Sequence, residues 1–197
     1  EVAPTVSSIV PVNSGNQTTF TVTVSDGNGS GDLAGANVMV NAAYGGANAC
    51  WFYYNLSTAT VSLADNTGST WSSVAQGSGA SISNSQCSIA GTGFGAAKSG
   101  NNATITIAVT FTANFAGTKA LFVAAGDNES ESSGYQNMGL WAVGSGSGSA
   151  SPATTTPTTS EVAPVVSSIV PVNNGNRTTF TVTVSDVDEA STITTTP

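Results

Sequence analysis

Apolar and polar residues alternate along most of this chain. In "TTFTVTVS" (Thr18–Ser25), Phe20, Val22 and Val24 take every second place among threonines, and "ATITIAVTF" (Ala103–Phe111) does the same with Ile105, Ile107, Val109 and Phe111. A period of two with β-branched and aromatic residues predicts a strand with one buried face. Shorter runs predict further strands at Val6–Val10, Asn37–Ala43, Ala49–Asn55, Thr60–Leu63, Gln86–Ile89, Lys119–Ala124 and Tyr135–Val143. Between them lie "SDGNGSGD", "ADNTGST" and "GTGFGAAKSGNN", whose Gly, Asn, Asp and Ser read as turns and loops. No segment carries an amphipathic helical period with caps. Many short strands separated by turns define an all-β sandwich or barrel. The expectation is an Ig-like antiparallel β-sandwich over residues 1–143.

Two departures from simple alternation follow. "ACWFYYN" (Ala49–Asn55) puts Trp51 and Tyr53 on one face and Phe52 and Tyr54 on the other. One aromatic pair belongs to the core; the other either packs under loops or forms a stacking platform for a sugar or a protein, to which Trp71 would add. After Val143, "GSGSGSASPATTTPTTS" (144–160) has no core-forming residues and reads as an extended linker whose Thr/Pro part suits O-linked sugars. Then "EVAPVVSSIVPVNNGNRTTFTVTVSD" (Glu161–Asp186) repeats Glu1–Asp26 with three differences, Thr5/Val165, Ser14/Asn174 and Gln17/Arg177. This partial second repeat, over 161–197, supplies two strands with the apolar positions Val166, Ile169, Phe180, Val182 and Val184. It reads as a slice of a tandem array, as strands donated to the sheet edge of a neighbouring copy, or as a tail folded back on its own domain.

Charged residues are only 7% of the chain, against about 25% in an ordinary domain. With a net charge of −8 and three cations (Lys98, Lys119, Arg177), it lacks the basic clusters that nucleic acid or an anionic membrane requires. No apolar run reaches the roughly 18–20 residues of a membrane span. Cys50 and Cys87, 37 apart, match no zinc spacing, and the chain has no His. They read as a disulfide of an extracellular or cell-surface protein, with two buried thiols as the alternative.

"TFTVTVSDGNGSGDLAGANVMVN", "ACWFYYN" and "GTKALFVAAGDNESESSGYQNMGLWAV" together resemble the Ig-like repeats of large exported bacterial surface proteins. There a strand-loop-strand leads to a Cys-aromatic strand and a Trp closes the last strand. The resemblance covers 1–143 and again 161–186. It implies a sandwich used as a spacer or adhesive module, with no catalytic residues to transfer.

Among candidate sites, Asp26, Asn28, Ser30 and Asp32 alternate in "DGNGSGD" as oxygen ligands of Ca²⁺ would, but Asn37 stands where a bidentate Glu would close the loop. Asp127, Glu129 and Glu131 would help if the fold brings their loop close. Otherwise the stretch is an acidic Asx turn, and no other cofactor is expected. Six N-x-[ST] sequons begin at Asn16, Asn28, Asn55, Asn102, Asn128 and Asn176, mostly in predicted turns. Without His there is no Ser-His-Asp triad and no common general base, so an enzyme is not expected. The expected role is a non-enzymatic subunit of an extracellular filament that assembles with itself, head to tail, through the partial repeat. The alternative is an adhesin or carbohydrate-binding module with Trp51, Tyr53 and Trp71 as its stacking surface.

Overall fold

A computed structural model describes residues 2–144 in full and the backbone of 165–174 and 177–185. The chain divides into two units, Glu1–Ala153 and Thr154–Pro197. The expected linker lies outside the described residues except for Gly144.

The first unit is a sandwich of two antiparallel sheets. Its strands are β1 (Thr5–Ser14), β2 (Gln17–Ser25), β3 (Leu33–Asn41), β4 (Cys50–Asn55), β5 (Thr60–Ala64), β6 (Trp71–Ala75), β7 (Ser81–Ser83), β8 (Cys87–Ser99), β9 (Asn102–Phe111), β10 (Gly117–Asp127) and β11 (Gln136–Val143). One sheet has the order β1-β2-β9-β8-β7, the other β11-β10-β3-β4-β5-β6. The β1-β2-β9-β8 and β11-β10-β3-β4-β5 runs follow the strand order of an immunoglobulin variable-type sandwich, with β7 and β6 added at the edges.

The period-two pattern is what closes the core. Phe20, Val22 and Val24 of β2 and Ile105, Ile107 and Val109 of β9 are completely or almost completely buried, as are Val38, Val40 and Phe52 from the facing sheet. Phe20 sits between Phe52 and Phe111 at ring distances of 6.2 and 6.3 Å. Trp141, the Trp of the last strand, is buried in the same core.

The structure corrects the strand map in two places. Residues 91–99, read as a glycine-rich loop, continue β8, which pairs with β9 from Phe94–Ile107 to Ser99–Asn102 after a register shift. Gly91 is there for packing: a Cβ would lie against Ser78 Oγ and 2.7 Å from the Ala75 carbonyl oxygen. Lys98 is therefore in a strand, and its Nζ donates to the Leu33 carbonyl at 3.3 Å. The other omission is β6 and β7, where four of five and two of three residues are exposed. Such strands carry no alternation to read.

In the second unit, β12 (Val165–Asn174) pairs with β13 (Arg177–Ser185). Val166 faces Val184, Ile169 faces Val182 and Pro171 faces Phe180, with a register shift between Val166 and Ser168. β1 and β2 pair identically, Val6 with Val24, Ile9 with Val22 and Pro11 with Phe20, with the shift between Val6 and Ser8.

Candidate functional site

The outward face of the six-stranded sheet carries an aromatic band beside a polar cleft. Strand alternation on β4 buries Cys50, Phe52 and Tyr54 and leaves Trp51 and Tyr53 half-exposed on the other face, as the sequence predicted. Neighbouring strands extend two rows across this face. In one, Phe122 faces Met39, Met39 faces Trp51, and Trp71 lies opposite Ala64. In the other, Asn37, Tyr53, Ser62 and Ser73 follow one another through β3, β4, β5 and β6. Asn37, Tyr53, Ser62 and Trp71 line a cleft of about 350 Å³.

The cleft walls are held in place. Trp71 meets Trp51 edge to face at 4.7 Å and remains 40% exposed. Trp51 donates its indole N–H to the Tyr135 hydroxyl at 2.7 Å, and Tyr135 and Phe122 both pack on Tyr44. Burial pushes the Tyr135 phenol up to about 12, more than the hydrogen bond from Trp51 lowers it; burial also raises Tyr53. Both rings are neutral at physiological pH.

Glycines make this packing sterically feasible. A Cβ on Gly35 would meet the Tyr54 carbonyl oxygen and lie 2.7 Å from the Tyr53 hydroxyl, so the Tyr53 ring lies across bare backbone. A Cβ on Gly46 would stand 2.8 Å from the Trp51 ring, and Gly68, at φ +73°, brings its loop against Gly46.

Asp65 ties the loop that delivers Trp71. Its carboxylate accepts from the Ser69 and Thr70 N–H groups and from the Thr67 and Thr70 hydroxyls. These bonds, led by that from Ser69 N–H, hold its acidity well below the usual carboxylate range. Asn84 does similar work at the sandwich end. Its amide donates to the Ala49 and Ala64 carbonyls, and its Oδ1 accepts from the Gln86 and Cys87 N–H groups.

Of the three expected stacking residues, Tyr53 and Trp71 line the cleft and Trp51 braces Trp71. Asn37, Ser62, Tyr44 and Tyr135 were missed as site residues. Their only signal was cross-strand position, which requires the register.

Cys50 and Cys87 form a disulfide, Cα–Cα 5.8 Å, joining β4 of one sheet to β8 of the other. This is the expected pairing. It differs in place from the inter-sheet bond of antibody domains, which joins the strands corresponding to β2 and β10.

The Asp26–Asp32 loop is closed largely by its own backbone. Asp26 is buried, and its Oδ1 accepts the Asn28 N–H at 2.7 Å, an Asx turn; the Asn28 Oδ1 accepts the Val2 N–H. Asp32 N–H donates to the Gly29 carbonyl, and Ser30 N–H to the Gly100 carbonyl. The fold does bring the Asp127–Glu131 loop alongside, with Asn128 donating to the Asp32 and Gly31 carbonyls. Among the described residues, no three Asp, Glu, His or Cys side chains are grouped as a metal set.

Four of the sequon asparagines, Asn16, Asn28, Asn102 and Asn128, are exposed, and Asn55 is half-buried. The Asn55 Oδ1 accepts from the Ser57 and Thr58 N–H groups, and Asn176 lies outside the described residues. The side chains of Val166, Ile169, Phe180, Val182 and Val184 are likewise not described, so only their register is placed.

Comparison with known protein families, curated proteins and solved structures finds no match for this chain. Among the described residues, no helix is long and apolar enough to cross a membrane.

Proposed function

We propose that this chain is a non-enzymatic structural module of an extracellular filament or surface appendage, joined to its neighbours head to tail through β12–β13. The observation that supports this is the duplication itself: β12–β13 repeats the residue pairs and register shift of β1–β2. In the first unit that hairpin is completed by β9, which pairs with β2 from Gln17–Thr110 to Ser25–Asn102, and by the facing sheet, which covers Phe20, Val22 and Val24. A two-stranded hairpin without further strands is marginal in water, and strand addition between copies is one way to supply them.

The sandwich has open edges, among them β1 with Val10 and Val12 about half exposed or more (53% and 60%) and β11 with Leu140 at 73%. Strand addition satisfies the unpaired N–H and C=O groups of such an edge. A tail that binds a different surface of the next copy makes a heterologous contact, which propagates as an open filament when the rotation does not close. The inter-sheet disulfide and the scarcity of charge fit a place outside the cell.

A matched pair of substitutions tests the reading. Val182→Asp should leave the unfolding midpoint of the sandwich unchanged and abolish self-association in sedimentation velocity. Val22→Asp, at the equivalent place in the first unit, should unfold the sandwich. Undiminished self-association of the Val182→Asp protein would refute the role of β13.

The adhesive alternative is favoured by one separate observation, the aromatic cleft on the outward sheet face.

A further inference from the structure

We infer that the cleft between Trp71, Tyr53, Asn37 and Ser62 is a binding site for an uncharged saccharide. A pyranose offers an apolar C–H face and a rim of hydroxyls, so its site needs an aromatic plate beside neutral donors and acceptors. The cleft supplies both. Trp71 is the plate: it is 40% exposed and held edge to face against Trp51. Asn37 contributes an amide, Tyr53 a phenol and Ser62 a hydroxyl, and the Ser62 hydroxyl is already paired with Ser73 at 2.7 Å. The Asn37 amide, the Tyr53 hydroxyl and the Trp71 indole N–H have no hydrogen-bond partner among the described residues. They are available to a ligand.

Size and charge narrow the ligand class. A volume of about 350 Å³ lies at the lower end of small-molecule sites, roughly 300–1,000 Å³. None of the four lining residues is charged. Two of the three cations are engaged elsewhere: Lys98 with the Leu33 carbonyl, and Lys119 with the Ala116 carbonyl and the Phe115 ring. A phosphate or carboxylate ligand would therefore find no counter-charge in the cleft. An extended peptide adding as a strand is equally disfavoured, because the floor is formed by β3, β4 and β5, each paired on both sides.

The cleft is pre-organised, which limits the ordering cost of binding. Gly35 seats Tyr53, the missing Cβ of Gly46 leaves room for Trp51, and the Asp65 hydrogen bonds fix the loop leading into Trp71. The site faces outward on β3, β4, β5 and β6 of the six-stranded sheet, and none of its lining residues lies in β12–β13. Val182→Asp therefore alters no residue of the cleft.

The test titrates the full chain with cellohexaose, chitohexaose, mannohexaose and xylohexaose, followed by tryptophan fluorescence and calorimetry. At least one should bind, and Trp71→Ala should weaken that binding by about tenfold or more. The unfolding midpoint of that variant should stay close to that of the parent. Asn37→Ala and Tyr53→Phe should each weaken it severalfold, while Val182→Asp should leave it unchanged. Binding that survives both Trp71→Ala and Tyr53→Phe would overturn the inference, as would the absence of a response to all four sugars. A Val182→Asp protein that is still polymeric but binds sugar would refute the assembly reading alone.

Discussion

The residues that shape the cleft owe their roles to what lies across the sheet from them. Trp51 and Tyr53 were visible in the sequence because strand alternation alone fixes that they face away from Phe52 and Tyr54. Asn37, Ser62 and Tyr135 were not, because an isolated Asn, Ser or Tyr carries no sign of which row it will join. Gly35 shows the same limit: nothing in the sequence tells that the Tyr53 ring lies over it. Tyr135 gives the clearest residue-level prediction. Its phenol is held neutral by burial to about 12, whereas an unfolded tyrosine ionises near 10. A group with a raised folded-state value contributes its full stability below the unfolded value and loses it as pH climbs through the folded one. The contribution of Tyr135 to stability should therefore be flat up to about pH 10 and fall between 10 and 12. Tyr135→Phe should flatten part of that fall in urea midpoints, with Tyr53 and Tyr54, also raised by burial, responsible for the remainder. An unchanged alkaline slope in Tyr135→Phe would contradict this.

At the scale of elements, long strands with one wholly buried face were legible, and edge strands were not. β2 and β9 announced themselves because hydrophobic burial imposes strict alternation on them. β6 has a single buried residue, Val74, so only its hydrogen bonds to β5 make it a strand. The second half of β8 was hidden for a different reason. Its glycines look like turn chemistry, while Gly91 answers a close approach from Ala75 and Ser78. The pairing of Cys50 with Cys87 was legible from parity, yet its placement between β4 and β8 needed the fold. Closing a loop of 37 residues is worth roughly 3–4 kcal/mol in the chain-entropy model. The Cys50→Ala/Cys87→Ala protein should therefore remain a sandwich, with its melting temperature lowered by roughly ten degrees. Calorimetry checks this, and a shift within a degree or two would mean that the bond constrains little.

For the whole molecule, the sandwich followed from the number and spacing of strands, and the strand order then gave it an immunoglobulin-like topology. The duplicated hairpin was plain in the sequence, and its copied register extends the duplication from residues to backbone. What a second hairpin does is a question about neighbours. The first unit answers part of it by showing what such a hairpin requires: a partner such as β9 against β2, and a facing sheet to cover Phe20, Val22 and Val24. On this account the first unit is a self-contained block and the second is its connector. Electron microscopy of the full chain beside a chain ending at Ala153 tests that division most directly. The account predicts filaments from the full chain and dispersed, disulfide-bonded monomers from the shortened one. Filaments from the shortened chain, or a full chain that stays monomeric at every concentration, would contradict it.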